Sequence, residues 1–128
     1  MRYVSAKDVL VIHARIVEKT GGSQGVCDVG MLESAVAAPQ KSFEGKDLYQ
    51  GVFTKAAVLF KKLASNHPFV DGNKRTAFTM SARFLFMNGY TIEADETAVV
   101  NFTVRIVEKN LDIDQIADWL SKNAKRKN

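Results

Sequence analysis

The sequence predicts an all-α domain, and three observations carry that prediction. Apolar residues recur at helical spacing in segment after segment. Serine or aspartate stands just ahead of several of these segments, and glycine or proline closes others. Between two of the most apolar segments lies a short polar stretch, "NHPFVDGNKRTAF" at residues 66–78, which reads as a loop running into a buried helix.

Ser5 and Asp8 have capping-box spacing ahead of a first helix, in which Val9, Ile12, Ile16 and Val17 share a face. His13, four residues after Val9, reads as a structural residue of that helix. The glycines of "TGGSQG" end it. Asp28 caps a short second helix, "VGMLESAVAA", which Pro39 ends. Residues 39–50, "PQKSFEGKDLYQ", have no helical period and place Phe43 and Tyr49 in exposed-looking positions, so a loop or short hairpin is expected.

A third helix runs from about Gly51 to Ser65, with Val52, Ala56, Leu59, Phe60 and Leu63 as its stripe and Lys55, Lys61 and Lys62 mostly off it. A fourth, Asn73 to Asn88, is apolar nearly all round, which predicts a central helix covered on several sides. Gly89 stops it. "YTIEA" reads as a short extended link. Asp95 and Asp112 cap two last helices, the second anchored by Ile116, Trp119 and Leu120.

A chain of 128 residues fits one domain that buries a core without disulfides or metals. Four of its 18 Lys and Arg residues fall in the last seven positions, and the other 14 balance 14 Asp and Glu. The expected organisation is therefore a neutral domain over residues 1–121 and a basic, solvated tail over residues 122–128. Such a tail could touch an acidic partner or nucleic acid, but direct nucleic-acid binding is not expected. The single cysteine, Cys27, suits a reducing cytoplasm. No secretory signal and no run of about 20 apolar residues is present, so a membrane location is not expected. Two histidines and one cysteine far apart do not make a zinc site.

The polar loop has the parts of a phosphate site. A helix start exposes backbone N–H groups and a partial positive charge, and it binds anions. Gly72 lets a ligand approach the backbone, and Asn73 can turn its amide to the same place. Lys74 and Arg75 sit where cations are unfavourable unless an anion is expected. Asp71 is a carboxylate beside that anion hole, an arrangement that magnesium reconciles. An imidazole such as that of His67 can accept a hydroxyl proton near neutral pH. Pro68 stiffens the loop and Phe69 can pin it to the core. Each residue also has a plain alternative: Asp71 as a helix cap, Asn73 as a turn former, His67 as a hydrogen-bonded loop residue.

"HPFVDGNKR" resembles the signature of the Fic family, and "GVCDVGMLESAVAAPQ", "FEGKDLY" and "HPFVDGNKRTAF" resemble its Doc branch, the death-on-curing toxins. The resemblance covers nearly the whole chain. It implies a compact Fic-fold helical bundle with the motif loop at the N-terminus of a central helix. It also implies His67 as the base for a target hydroxyl and Asp71 as the magnesium-binding acid. Gly72, Asn73, Lys74 and Arg75 would hold the phosphates of ATP, and Phe43 to Tyr49 would be the flap that docks the target peptide.

Fic enzymes that transfer AMP usually carry glycine where this chain has Lys74, and a second arginine where it has Phe78. Doc-like members share the pattern seen here. They are kinases that bind ATP reversed and pass its γ-phosphate to a threonine of elongation factor Tu, stopping translation. Gly72 departs the other way, since the best-known Doc pattern has alanine there. No glutamate of the chain has serine or threonine four residues before it, so the self-inhibitory helix of many Fic proteins is not readable. An external antitoxin of the Phd type is implied instead, its disordered tail folding into an apolar groove. The expectation is thus a Mg-ATP-dependent protein kinase toxin. The alternatives are a protein AMP transferase and a non-catalytic helical binding module.

Overall fold

The structure, a computed structural model, describes residues 1–127. Six helices follow the predicted order. Helix α1 (Ala6–Thr20) opens on a full capping box: Asp8 N–H donates to Ser5 Oγ at 3.1 Å and Ser5 N–H donates to Asp8 Oδ2 at 2.9 Å. Helix α2 (Val29–Ala37) is capped by Asp28, whose Oδ1 accepts from Met31 N–H at 3.0 Å, and Pro39 turns its end into a 3₁₀ turn. A hairpin of β1 (Ser42–Phe43) and β2 (Lys46–Asp47) follows. Glu44 and Gly45 turn it with φ of 51° and 78°, the positive angles that a tight two-residue hairpin turn requires.

Helices α3 (Val52–Asn66) and α4 (Asn73–Met87) flank the polar loop. Strand β3 (Tyr90–Ile92), α5 (Glu96–Glu108), α6 (Ile113–Lys122) and β4 (Ala124–Arg126) complete the chain. Asp95 and Asp112 cap α5 and α6 as expected.

Helix α3 is the one enclosed on all sides. Residues 55–60 are all buried, and the helix packs against α2, α4, α5 and α6. Lys55 lies inside that run at 2% exposure, contrary to its expected place off the stripe. Its Nζ donates to Pro39 O at 3.0 Å and pairs with Asp47 Oδ2 at 3.2 Å, which ties the hairpin to the bundle. Burial alone would lower its pKa, but Tyr3 and Asp47 beside the ammonium more than offset that and hold it above the ordinary lysine value.

Helix α4 buries only one face, through Ala77, Met80, Ser81, Phe84 and Leu85. Its other apolar face, expected to be covered, lines an open groove of about 1000 Å³ between α1, α4, β3 and α5. Phe86 there is 47% exposed.

The C-terminal segment is not the loose end that its charge suggests. Lys122 closes α6, and β4 pairs antiparallel with β3, Thr91 opposite Lys125. Asn128, the last residue of the expected tail, lies outside the described residues. Among the described residues, no helix is long and apolar enough to cross a membrane.

Candidate active site

The loop between α3 and α4 is fixed from three directions. Its backbone pairs with the glycine-rich segment after α1: Cys27 N–H donates to Pro68 O at 2.8 Å, Val70 N–H to Gly25 O at 3.2 Å, and Val26 bridges Phe69. From within, Asn73 spends its whole side chain on the loop, Oδ1 accepting from Phe69 N–H at 3.0 Å and Nδ2 donating to Phe69 O at 2.8 Å. From α1, the ring of His13 stacks on Phe69 at 3.6 Å between centroids, and its Nε2 lies 2.7 Å from Asp71 O. Phe69 is the apolar pin that the sequence suggests, at 2% exposure.

His67 ends α3 in the left-handed region, φ 48° and ψ 58°, with its side chain exposed. A non-glycine residue there costs about 1 kcal/mol or more. The next residue, Pro68, is held through its carbonyl by the N–H groups of Cys27 and Asp28, and the His67 imidazole lies at the loop's surface.

Asp71 is not the helix cap. Its Oδ2 accepts from Ser23 N–H at 2.8 Å, across the loop. The N-cap of α4 is Gly72, and no side chain caps the helix. The first intrahelical bond is Thr76 N–H to Gly72 O at 3.0 Å, so the amides of Asn73, Lys74 and Arg75 precede it. Gly72 has φ 80°, and a Cβ placed on it would stand 3.2 Å from Val17 Cγ2 and 3.6 Å from His13. The close turn therefore needs glycine both for its angle and for its packing against α1.

Lys74 and Arg75 are exposed and line one end of the groove. Arg75 reaches Glu96 at 3.8 Å, an exposed pair of little energetic weight. Phe78 lies edge-on to Phe60 at 5.9 Å and also walls the groove, so no cation stands at that position.

The donor set fits a magnesium nucleotide. Uncapped amides and two cations suit phosphate oxygens, and one carboxylate beside them suits an ion that takes its remaining ligands from phosphate and water. Among the described residues, no three His, Cys, Asp or Glu side chains gather into an all-protein metal cage.

The family model described as the Fic/DOC family matches residues 3–85, a span that holds the whole loop and the α1 residues that clamp it. The chain belongs to the Fic/DOC family. Over 121 residues it is 38% identical to "Toxin Doc" of Mycolicibacterium smegmatis (strain ATCC 700084 / mc(2)155), covering 93% of this chain and 91% of that protein. Over 122 residues it is 26% identical to "Protein kinase doc" of Escherichia phage P1, covering 95% of each.

Within this Fic/DOC chain, the expected site residues divide into two groups. His67, Asp71, Gly72, Asn73, Lys74 and Arg75 are gathered on one loop and one helix start. Asn73 offers the site its backbone amide only, because its side chain holds the loop. Phe43 and Tyr49 lie outside that loop, on and just after the hairpin. Phe43 is 70% exposed on the hairpin, and Tyr49 is half-buried beside it. The hairpin is tied to α3 at Lys55, 12 residues before His67, which is about 18 Å along the helix axis.

Sequence reasoning missed three partners of the site: His13 as a holder of the loop, Ser23 as a donor to Asp71, and Lys55 as the anchor of the hairpin. Lys55 did carry a signal. It is three residues after Val52 and four before Leu59, on the apolar stripe itself.

Proposed function

We propose that this chain is a Doc-like toxin that transfers phosphate from Mg-ATP to a hydroxyl of a protein target and is neutralised by an antitoxin. One observation carries the reading. The uncapped start of α4 joins an exposed, strained His67 and a carboxylate on a single rigid loop. The relative named as a protein kinase and the relative named as a toxin support it.

In the proposed mechanism the α4 amides, Lys74 and Arg75 hold the phosphate oxygens and offset their growing charge. Asp71 would hold magnesium, which would supply charge neutralisation. His67 takes the proton of the target hydroxyl as its oxygen bonds to the γ-phosphorus. The bond to the leaving ADP then breaks. Lys74 in place of glycine, and Phe78 in place of arginine, favour the reversed ATP orientation over AMP transfer.

The proposed target is a threonine of elongation factor Tu, with translation arrest as the result, in a reducing cytoplasm. The groove beside Lys74 and Arg75 is the proposed seat of a Phd-type antitoxin tail. Its walls are apolar, and its charged lining (Lys74, Arg75, Arg83 and Glu96) is net positive, which suits an acidic amphipathic segment.

The test incubates the protein and elongation factor Tu with ATP labelled at either the α- or the γ-phosphate. Label from the γ-position, reduced at least about 100-fold in His67→Ala, is the expected result. Label from the α-position would identify AMP transfer. No transfer of either, with toxicity unchanged in His67→Ala, would identify a non-catalytic binding module.

A further inference from the structure

Helix α1 contributes none of the residues proposed to meet phosphate, metal or target, yet it packs directly against the turn that carries them. His13 is 3% exposed. Its ring lies nearly parallel to Phe69, 10° between planes and 3.6 Å between centroids. Its Nε2 sits 2.7 Å from the carbonyl of Asp71, and because a carbonyl only accepts, that nitrogen carries a proton and donates. One helical turn on, Val17 is the atom nearest to where a side chain on Gly72 would be. Two adjacent residues of the loop, Asp71 and Gly72, are thus located by two residues of one helix face.

The consequence is geometric. The peptide between Asp71 and Gly72 sets the direction of the Asp71 carboxylate and the angle at which the chain enters α4. Asp71 reaches out to Ser23 through one carboxylate oxygen, while its main-chain carbonyl is held by His13. A carboxylate aimed at a metal beside phosphates must be placed to within about half an ångström. An exposed loop aspartate does not reach that precision unaided.

We infer that His13 is a positioning residue for the phosphate and metal end of the site, acting through its hydrogen bond to the Asp71 carbonyl and its stack on Phe69. The inference rests on the proposed ATP-dependent reading of the loop and deepens it. His13 does not touch substrate. It fixes the peptide from which the Asp71 carboxylate and the first α4 amides extend.

Two variants separate its two contacts. His13→Phe keeps a flat ring for Phe69 and removes the donor. His13→Gln keeps an N–H donor and loses the stack. In transfer assays with titrated magnesium and ATP, His13→Phe is expected to raise the KM for Mg-ATP and the magnesium requirement about 10-fold, with the KM for the protein target unchanged. His13→Gln is expected to recover at least half of that loss. A lower melting temperature with unaltered Mg-ATP and magnesium dependence would overturn the inference and leave His13 as a core residue only. Should His13→Phe fail to fold, His13→Leu, which also removes the donor, takes its place: a KM for Mg-ATP raised about 10-fold supports the inference, and an unaltered one overturns it.

Failure of the functional reading shows separately, as a wild-type protein that transfers nothing from ATP. Amide exchange then decides. The N–H groups of Phe69 and Val70, bonded to Asn73 Oδ1 and Gly25 O, exchange at least 10-fold faster in His13→Phe if His13 holds the loop. Unchanged exchange overturns the inference whatever the reaction.

Discussion

Gly72 shows how much of the site is decided by one residue. Its φ of 80° belongs to the region that glycine enters freely, and Val17 leaves little space for a side chain. The Doc pattern with alanine at this position therefore needs a different neighbour or a shifted α1. In this chain Gly72→Ala is expected to lower stability by about 1–3 kcal/mol, from the left-handed angle and the displaced Val17. Thermal denaturation of the two proteins measures it. A variant that melts with wild type would mean that the turn is looser than its contacts indicate. Asn73 teaches a related lesson. Its residue type fits both a ligand contact and a turn former, and the sequence leaves both open. The structure assigns its side chain to the turn, since both amide atoms bond the backbone of Phe69.

At the scale of elements, local rules held where the chemistry is local. Ser5, Asp28, Asp95 and Asp112 cap the helices that they precede, because a cap needs only the residues within one turn. The loop was legible for the same reason: the residues proposed to meet an anion are contiguous in sequence. What failed to show depends on distant partners. The apolar girth of α4 signalled burial, yet the face with Phe78, Ala82 and Phe86 lines a groove, since apolarity alone does not say what covers it. Lys55 sits on the α3 stripe but reads as polar until Asp47 and Pro39 O are placed beside it. The capping box of α1 yields a pH-dependent prediction. The carboxyl of Asp8 is held below its ordinary value, chiefly by the Ser5 backbone N–H. Its folded pKa lies below the unfolded one, so its contribution to stability is present above about pH 4 and fades as the pH falls through the folded value. Asp8→Asn is therefore expected to melt lower than wild type at neutral pH, with the difference shrinking on acidification below about pH 4. A difference that persists unchanged at pH 2 would assign the effect to shape rather than charge.

For the whole molecule, the question is what the basic end is for. Three positive side chains close together suggest an external anionic partner, but each has an internal contact. Lys125 pairs with Glu93 at 3.4 Å, Arg126 lies 5.8 Å over the Tyr90 ring, and Lys127 Nζ donates to Phe86 O at 2.7 Å near the end of α4. A cation there is well placed for the helix dipole. Lys127 N–H also donates to Gly89 O at 2.8 Å, and β4 gives β3 its only strand partner among the described residues. Thr91 and Ile92 of β3 in turn line the groove. The segment therefore serves as a brace for the groove wall, and α4 separates it from the loop between α3 and α4 by about 20 Å of helix. Truncation after Asn123 is expected to cost about 1–3 kcal/mol, a few backbone hydrogen bonds less the entropy of ordering the strand. Amide exchange should quicken in β3. Binding of an acidic amphipathic segment to the groove should weaken, while the transfer rate measured well below the melting transition stays within about 3-fold of wild type. A truncated protein with unchanged stability and β3 exchange, but with lost binding to nucleic acid, would instead return the basic end to the role that its charge alone suggests.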